Sequence, residues 1–207
     1  ILRISQIMIV KKLNIYGSIL DVGSKASISN VSNFIKTKEK INYADKYSEN
    51  QNDLKLDLEN YDQNFEKKFK NVLLFNVLEH IYNFKNCLKL CNSLLETNGI
   101  LYGSTPFFFR IHGSPNDYFR YTEQSLIRLL KEEGFREIKV SNLNGGIFIC
   151  FFSSISLITN KIPFLNNILL IICQLLDLFI SLFSKNSKNN YPLGYFFEGK
   201  KWVQLKL

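Results

Sequence analysis

Cysteine, proline, methionine and tryptophan are all scarce in this chain. Four Cys in 207 residues, none in a C-x-x-C pair, exclude a disulfide scaffold. Cys87 and Cys91 lie four apart in an apolar-periodic run, and Cys150 and Cys173 sit among Phe, Ile and Leu. All four read as reduced core thiols, and no metal site is expected. Arginine is scarce too, at 5 residues against 21 Lys. Phosphate-reading proteins lean on Arg, so the formal net charge of +8 is weak support for a nucleic-acid partner. With 23 Asn and 23 Ile beside the lysines, an AT-rich coding sequence is a competing source of that charge. Hydrophobic residues at 46% and charged residues at 21% are ordinary for a folded domain, which excludes disorder, collagen and coiled coil as descriptions of the whole. The length fits one domain, or one domain with an appendage. The chain begins at Ile1 rather than Met and reads as trimmed or as a fragment; nothing in it reads as a cleavable signal peptide.

What is there is an alternation of short apolar strands and helical patterns over the first 150 residues. Ser18 to Val22, stopped by Gly23, reads as a buried strand. Ile28, Val31, Phe34 and Ile35 then recur at helical spacing. Ile41 to Asp45 reads as a second strand and Leu54 to Leu58 as a weaker one. Asn71 to Phe75 is a continuous buried strand, and Phe84, Leu88, Cys91 and Leu95 mark the helix after it. Asn98-Gly99 reads as a turn, Ile100 to Ser104 as a strand ended by Pro106. Thr122 is placed to cap a helix carrying Leu126, Leu129 and Leu130, with Gly134 just past its end and a strand from Glu137 to Ser141. Such alternation predicts an α/β fold, a doubly wound, mostly parallel sheet with helices on both faces. Ligands of such sheets bind at the carboxyl ends of the strands, so the polar residues just after each strand carry the information.

Those residues form a series. Asp21-Val22-Gly23-Ser24-Lys25-Ala26-Ser27 follows the first strand, where Gly23 permits a tight turn. A dinucleotide site wants G-x-G-x-x-G, but Lys25 fills the second Gly position, and Asp21 suits a ligand with a positive group better than a phosphate. Asp45 ends the second strand, where a carboxylate can accept both hydroxyls of a ribose. Asp57-Leu58 and Asn76-Val77-Leu78-Glu79-His80 follow the next two. Each alone reads as a solvated loop; four at successive strand ends are harder to explain that way.

With these motifs in place, residues 17–141 resemble the class I S-adenosylmethionine-dependent methyltransferases. The matching stretches are Ile19 to Ser24, Tyr43 to Asp45, Leu56 to Leu58, Phe69 to Phe75 with Asn76 to His80, Leu94 to Leu101 with Pro106, and Gly134-Phe135. The resemblance implies a Rossmann-like fold closed by a C-terminal antiparallel hairpin. It also implies roles toward S-adenosylmethionine: Asp21, Gly23 and Ser24 at the methionine end, Asp45 on the ribose, Asp57 and Leu58 at the adenine, and Asn76 near the sulfur. Lys25 and Ser27 depart from the family's glycine-rich loop. A second block, Thr105 to Thr122, resembles the segment of methyltransferases found with bacterial polysaccharide and lipid-linked glycan biosynthesis. It is dense in aromatics and holds His112, Asp117 and Arg120. Methyl transfer to a hydroxyl needs a base, for which His112 comes first and Asp117 second; the other reading of Asp117 and Arg120 is an ion pair that holds the loop. Tyr118, Arg120 and Tyr121 are the expected acceptor contacts. His80 is expected to orient the strand-end loop.

Residues 1–146 thus read as a cofactor-binding core, 147–190 as a hydrophobic helical insertion, and 191–207 as a last strand returning to the core. Phe164 to Phe183 has 15 apolar residues in 20, enough to span a bilayer, but Asp177 near its middle argues against a span. Asn167, Gln174, Asp177 and Ser181 fall on one helical stripe, opposite Leu169, Ile172, Leu176, Phe179, Ile180 and Phe183. With Lys161, Lys185 and Lys188 flanking it, the helix is expected to lie on an anionic membrane surface; packing on its own domain or in a homodimer is the alternative. The expected protein is a cytoplasmic, membrane-peripheral enzyme acting on a small-molecule or lipid-linked glycan acceptor. The rival is a catalytically silent module of the same fold. Nucleic acid is not an expected partner, because the run after the fourth strand lacks the Asn/Asp-Pro-Pro-aromatic pattern of base-amino methylation.

Overall fold

The computed structural model describes residues 1–25, 30–60, 66–113, 115–184 and 186–202. In chain order these form α1 (Leu2–Val10), β1 (Ile19–Val22), β2 (Ile41–Ala44), β3 (Phe69–Phe75), α2 (Phe84–Leu94), β4 (Leu95–Pro106), α3 (Glu123–Glu132), β5 (Phe135–Asn142), α4 (Ile147–Thr159), α5 (Pro163–Phe183), the short α6 (Ser187–Asn190) and β6 (Gly194–Lys201). One six-stranded sheet runs in the order β2-β1-β3-β4-β6-β5. Its first four strands are parallel, and β6 pairs antiparallel with both β4 and β5. The expected doubly wound sheet with a C-terminal antiparallel hairpin is therefore what the chain builds.

The central strand β3 is apolar on both faces over Val72 to Leu74 because both faces are covered there. Val72 and Leu74 of β3 pack with Leu88 and Cys91 of α2 and with Leu126 and Leu130 of α3. Leu73, between them, points the other way and packs with Val10 of α1, Ile149 and Phe152 of α4 and Cys173 of α5. Each such fully buried side chain contributes roughly 1.5–3 kcal/mol. Thr122 caps α3 as expected, its hydroxyl accepting from the N–H of Ser125, and Gly134 follows with φ +84°.

Several expectations need correction. No α-helix follows Gly23 among the described residues: Val31–Phe34 is a single 3-10 turn, while Ser27 and Ile28 lie outside those residues. The stretch is rich in Ser and Asn, whose side chains compete with the helix for backbone partners. Asn30 donates to Ser24 Oγ (2.9 Å) and the Lys25 carbonyl (2.6 Å), tying the chain back on itself instead. Leu54 to Leu58 makes only an isolated bridge to Ala44. Asn98-Gly99 lies within β4, at an irregularity in its pairing with β3, with Asn98 at φ 60°. Helix α1, unremarked in the sequence, covers the sheet through Leu2 and Val10.

The insertion between β5 and β6 is the hairpin of α4 and α5. Its polar stripe splits. Asp177, 1% exposed, turns inward and accepts from the N–H groups of Phe148 (3.0 Å) and Ile149 (2.7 Å), which opens α4. These charged hydrogen bonds at a helix N-terminus explain a buried acid in an apolar helix. Asn167 and Gln174 stay exposed. Of the six residues expected on the apolar face, Ile172, Leu176, Phe179 and Phe183 are exposed, whereas Leu169 and Ile180 are partly buried.

Candidate functional site

The direction of winding reverses between β1 and β3, and a cleft opens there at their carboxyl ends. It has a volume of about 370 Å³ and is walled by Asp21, Gly23, Ser24, Lys25 and Asn76, with Arg3 of α1 at its edge. Gly23 sits at φ +72°, and a Cβ there would meet the Val77 side chain at 2.6 Å, so the turn admits no other residue without strain. Asn76 also adopts a left-handed conformation, φ 54°, at the end of β3. Its amide is held by Gln6 of α1: Gln6 Nε2 donates to Asn76 Oδ1 (2.5 Å), and Asn76 Nδ2 donates to Gln6 Oε1 (3.2 Å). Gln6, Arg3 and Asn30 escaped the sequence reading. A lone Gln in the apolar run Ile4 to Val10 is the signal that pointed to the first of them.

Asp21 is 3% exposed and accepts from the Ser32 hydroxyl at 2.5 Å. Burial pushes its carboxyl up to about 7, against the pull of hydrogen bonds from Ser32 and Ser24. It is therefore substantially protonated near neutral pH, and a cationic ligand must meet it ionised. Binding of a ligand through a positive group here is expected to strengthen about tenfold from pH 6 to pH 8, with Asp21→Asn removing the dependence. Titration calorimetry at the two pH values checks it. Stability moves the other way: the folded chain keeps this proton from about pH 4 to 7 while the unfolded chain loses it, so this group's contribution falls as pH rises across that window.

The main-chain N–H groups of Gly23 and Ser24 donate to the Ala44 carbonyl (2.7 and 3.3 Å), which sets the next residue, Asp45, beside the Gly23 loop. Asp45 Oδ1 accepts from the N–H of Tyr47 and lies 3.9 Å from Lys25 Nζ. A contact so long and half-exposed is worth less than about 1 kcal/mol and leaves the carboxylate usable. Asp57 is more engaged, pairing with Lys46 at 2.7 Å, which holds its carboxyl below the usual range, and accepting from the Glu59 N–H. The Leu58 side chain is buried in the core, leaving only its main chain for a ligand.

The loop after β4 separates into two groups. Asp117 and Arg120 hold each other through two hydrogen bonds (2.5 and 2.7 Å), and Arg120 also donates to the Arg110 and Phe119 carbonyls. Arg120 pulls the Asp117 carboxyl far below the usual range. The ion-pair reading thus accounts for both side chains, and a carboxylate held so firmly ionised makes a poor base. Tyr121 is 5% exposed, donates to the Leu78 carbonyl (3.3 Å) and belongs to the core, which corrects its expected place among the acceptor contacts. Tyr118 is exposed, its ring edge-on to Tyr82. His112 remains: Asp117 Oδ2 accepts from its N–H (2.8 Å) and lies 3.2 Å from its Nδ1, and its ring meets Phe109 edge-on. Phe107, Phe108, Phe109 and Arg110 wall a cavity of about 550 Å³, bounded on the other side by Ser153 and Leu157 of α4 and by Asn160 just past its end.

Beneath the loop, Glu79 is fully buried and His80 lies beside it. Tyr118 and Phe119 donate their N–H groups to the Glu79 carbonyl, and His80 Nδ1 lies 2.5 Å from the Asn116 carbonyl. Both contacts tie the loop to the end of β3, the place expected for His80.

No family model and no curated protein matches the sequence. Solved structures do share its fold. A SAM-dependent methyltransferase from Archaeoglobus fulgidus is 15% identical, with a TM-score of 0.55 over 89% of this chain and 86% of that one. A 1,6-didemethyltoxoflavin-N1-methyltransferase from Burkholderia thailandensis, solved with its substrate and S-adenosylhomocysteine, is 13% identical, with a TM-score of 0.56 over 98% and 78%. The cyclase SpnF has the same identity and TM-score over 98% and 81%. The chain thus has the Rossmann-like fold of the SAM-dependent methyltransferases. At such identities the likeness concerns the fold, and the cyclase illustrates that one fold carries more than one chemistry.

Proposed function

We propose that the protein is an S-adenosylmethionine-dependent methyltransferase that methylates an oxygen of a small or lipid-linked glycan acceptor at a membrane surface. The observation that carries the reading is the cleft at the winding reversal, where a buried acid, a glycine that admits no Cβ and an Asn in a left-handed conformation meet. These residues fit the cofactor. Asp21 answers its positive methionine end, Gly23 and Ser24 leave room beside it, and Asn76 is fixed by Gln6 at the cleft wall. Asp45 accepts the ribose hydroxyls, and Asp57 with the Leu58 main chain borders the adenine. When bound, the cofactor supplies a methyl group on a cationic sulfur; the chain positions the acceptor in line with it. The aromatic cavity beside His112 is suited to a sugar or ring, and His112, oriented by Asp117, is the group to take the acceptor's proton.

The membrane part of the reading rests on α4 and α5. Helix α5 is long and apolar enough to cross a bilayer by length and composition, and only 11% of its most apolar window is buried. Phe164, Leu175, Phe179, Leu182 and Phe183 are all more than half exposed, and Phe151 and Ile158 extend the apolar surface onto α4. With its one acid turned inward onto α4, the hairpin offers a continuous apolar face. Lys161 and Lys188 flank α5, and Lys185 lies outside the described residues. A face of this kind on a folded domain suits the interface, with the crevice toward the cytoplasm.

Asp45→Ala is expected to weaken S-adenosylhomocysteine binding by about 1.5–3 kcal/mol, the range for a hydrogen bond to a charged group. Calorimetry on variant and unmutated protein measures it. Equal affinities would take Asp45 out of the site.

A further inference from the structure

The chain has two histidines, and the fold brings both together with a buried acid. His80 and His112 come from different loops, yet their rings meet edge to face with centroids 4.9 Å apart. One donor atom from each of Glu79, His80 and His112 lies within 4.8 Å of the others. Each ring's Nδ1 faces only oxygen acceptors: the Asn116 carbonyl at 2.5 Å for His80, and Asp117 Oδ2 at 3.2 Å with the Arg110 carbonyl at 3.3 Å for His112. A neutral ring must then carry its proton on Nδ1 and its lone pair on Nε2. An imidazole held in this way by an oxygen is the usual outer support of a metal-binding histidine.

The second observation is an orphan. Glu79 is fully buried; its Oε2 accepts from Thr105 Oγ1 at 3.4 Å, but its Oε1 has no partner. That oxygen lies 3.7 Å from His80 Nε2. With the acid ionised and the ring neutral, two lone pairs face each other across a gap that a proton or a metal ion must bridge, since leaving both unmet is costly in a buried place. The gap is close to the roughly 3.4 Å that separates two ligands about 2.1 Å from one tetrahedral ion.

From this we infer that Glu79, His80 and His112 bind one divalent transition-metal ion where the loop after β4 meets the end of β3. Two imidazoles and one carboxylate suit zinc, cobalt, manganese or ferrous iron, and three protein donors leave positions open for water. The site contradicts the expectation, drawn from the cysteines, that the chain holds no metal. Metal binding needs neither cofactor nor acceptor, but an ion on His112 takes up the one lone pair that the base role requires, so the two roles of this ring exclude each other.

Cobalt(II) titration of the intact protein tests it. The expected result is one ion per chain, a visible spectrum of nitrogen and oxygen donors without thiolate charge transfer, and a raised unfolding temperature. His80→Ala, His112→Ala and Glu79→Gln should each weaken binding by at least the 10–100-fold that loss of an outer-shell partner costs. Should the Glu79 variant not fold, zinc added to histidine-labelled protein still decides: both ring signals must shift together at one equivalent. No binding of cobalt, zinc or manganese at millimolar concentration, unchanged affinity in the histidine variants, or ring signals indifferent to zinc would each overturn the proposal.

Discussion

His112→Ala should lower methyl transfer to any acceptor the protein uses by roughly 10²–10⁴, the usual contribution of a positioned acid or base, with cofactor affinity unchanged. The ring lies outside the cleft that would hold the cofactor and meets Phe109, which walls the aromatic cavity proposed for the acceptor. Asp117→Asn should produce a smaller loss together with a looser loop, because that carboxylate holds both His112 and Arg120. Single-turnover kinetics separates the chemical step from binding. Undiminished turnover in His112→Ala would remove this ring from the mechanism. The two roles proposed for His112 part under a chelator. A base is indifferent to it, whereas a metal ligand that serves the reaction is not.

The second large effect concerns the α4–α5 hairpin. The unmutated protein is expected to co-sediment with anionic vesicles, and Leu175→Asp with Phe179→Asp to release it. Both side chains are 59% exposed, so the substitutions leave the packed face of α5 intact. Burying several such side chains contributes roughly 1.5–3 kcal/mol each, and each nearby Lys adds about 1 kcal/mol at an anionic surface. Salt should therefore weaken binding without abolishing it, since the apolar part is not screened. Protein that stays in the supernatant as a monomer would contradict the membrane reading. A dimer that the double variant splits would assign the same face to a second copy of the chain.

The elements legible in the sequence were those whose burial is dictated by composition. The apolar runs Val72 to Phe75 of β3 and Ile100 to Tyr102 of β4, with Ile19, Leu20 and Val22 of β1, are of the kind found where a sheet is covered on both sides. The turn at Gly23 and the cap at Thr122 were legible because each depends on a local conformation that few residues adopt. The segment after Gly23 was not, because an apolar periodicity cannot show that Ser and Asn side chains will take up the backbone groups a helix needs. Periodicity placed Asp177 on a polar stripe of α5, yet that acid faces inward, since the N–H groups it serves belong to α4. Tyr121 and Arg120 stood in a segment whose composition reads as binding, but one is core and the other holds its own loop. The meeting of His80 with His112 is a product of tertiary structure alone, and no spacing in the sequence announces it.

The most direct test of the account is a calorimetric titration of the unmutated protein with S-adenosylhomocysteine near pH 8, where Asp21 is ionised. The account predicts saturable binding of one ligand per chain with a dissociation constant on the order of micromolar, about 8 kcal/mol of binding free energy, and its loss in Asp21→Ala. No binding at millimolar ligand would contradict it and leave a chain with the fold of a methyltransferase but not its cofactor.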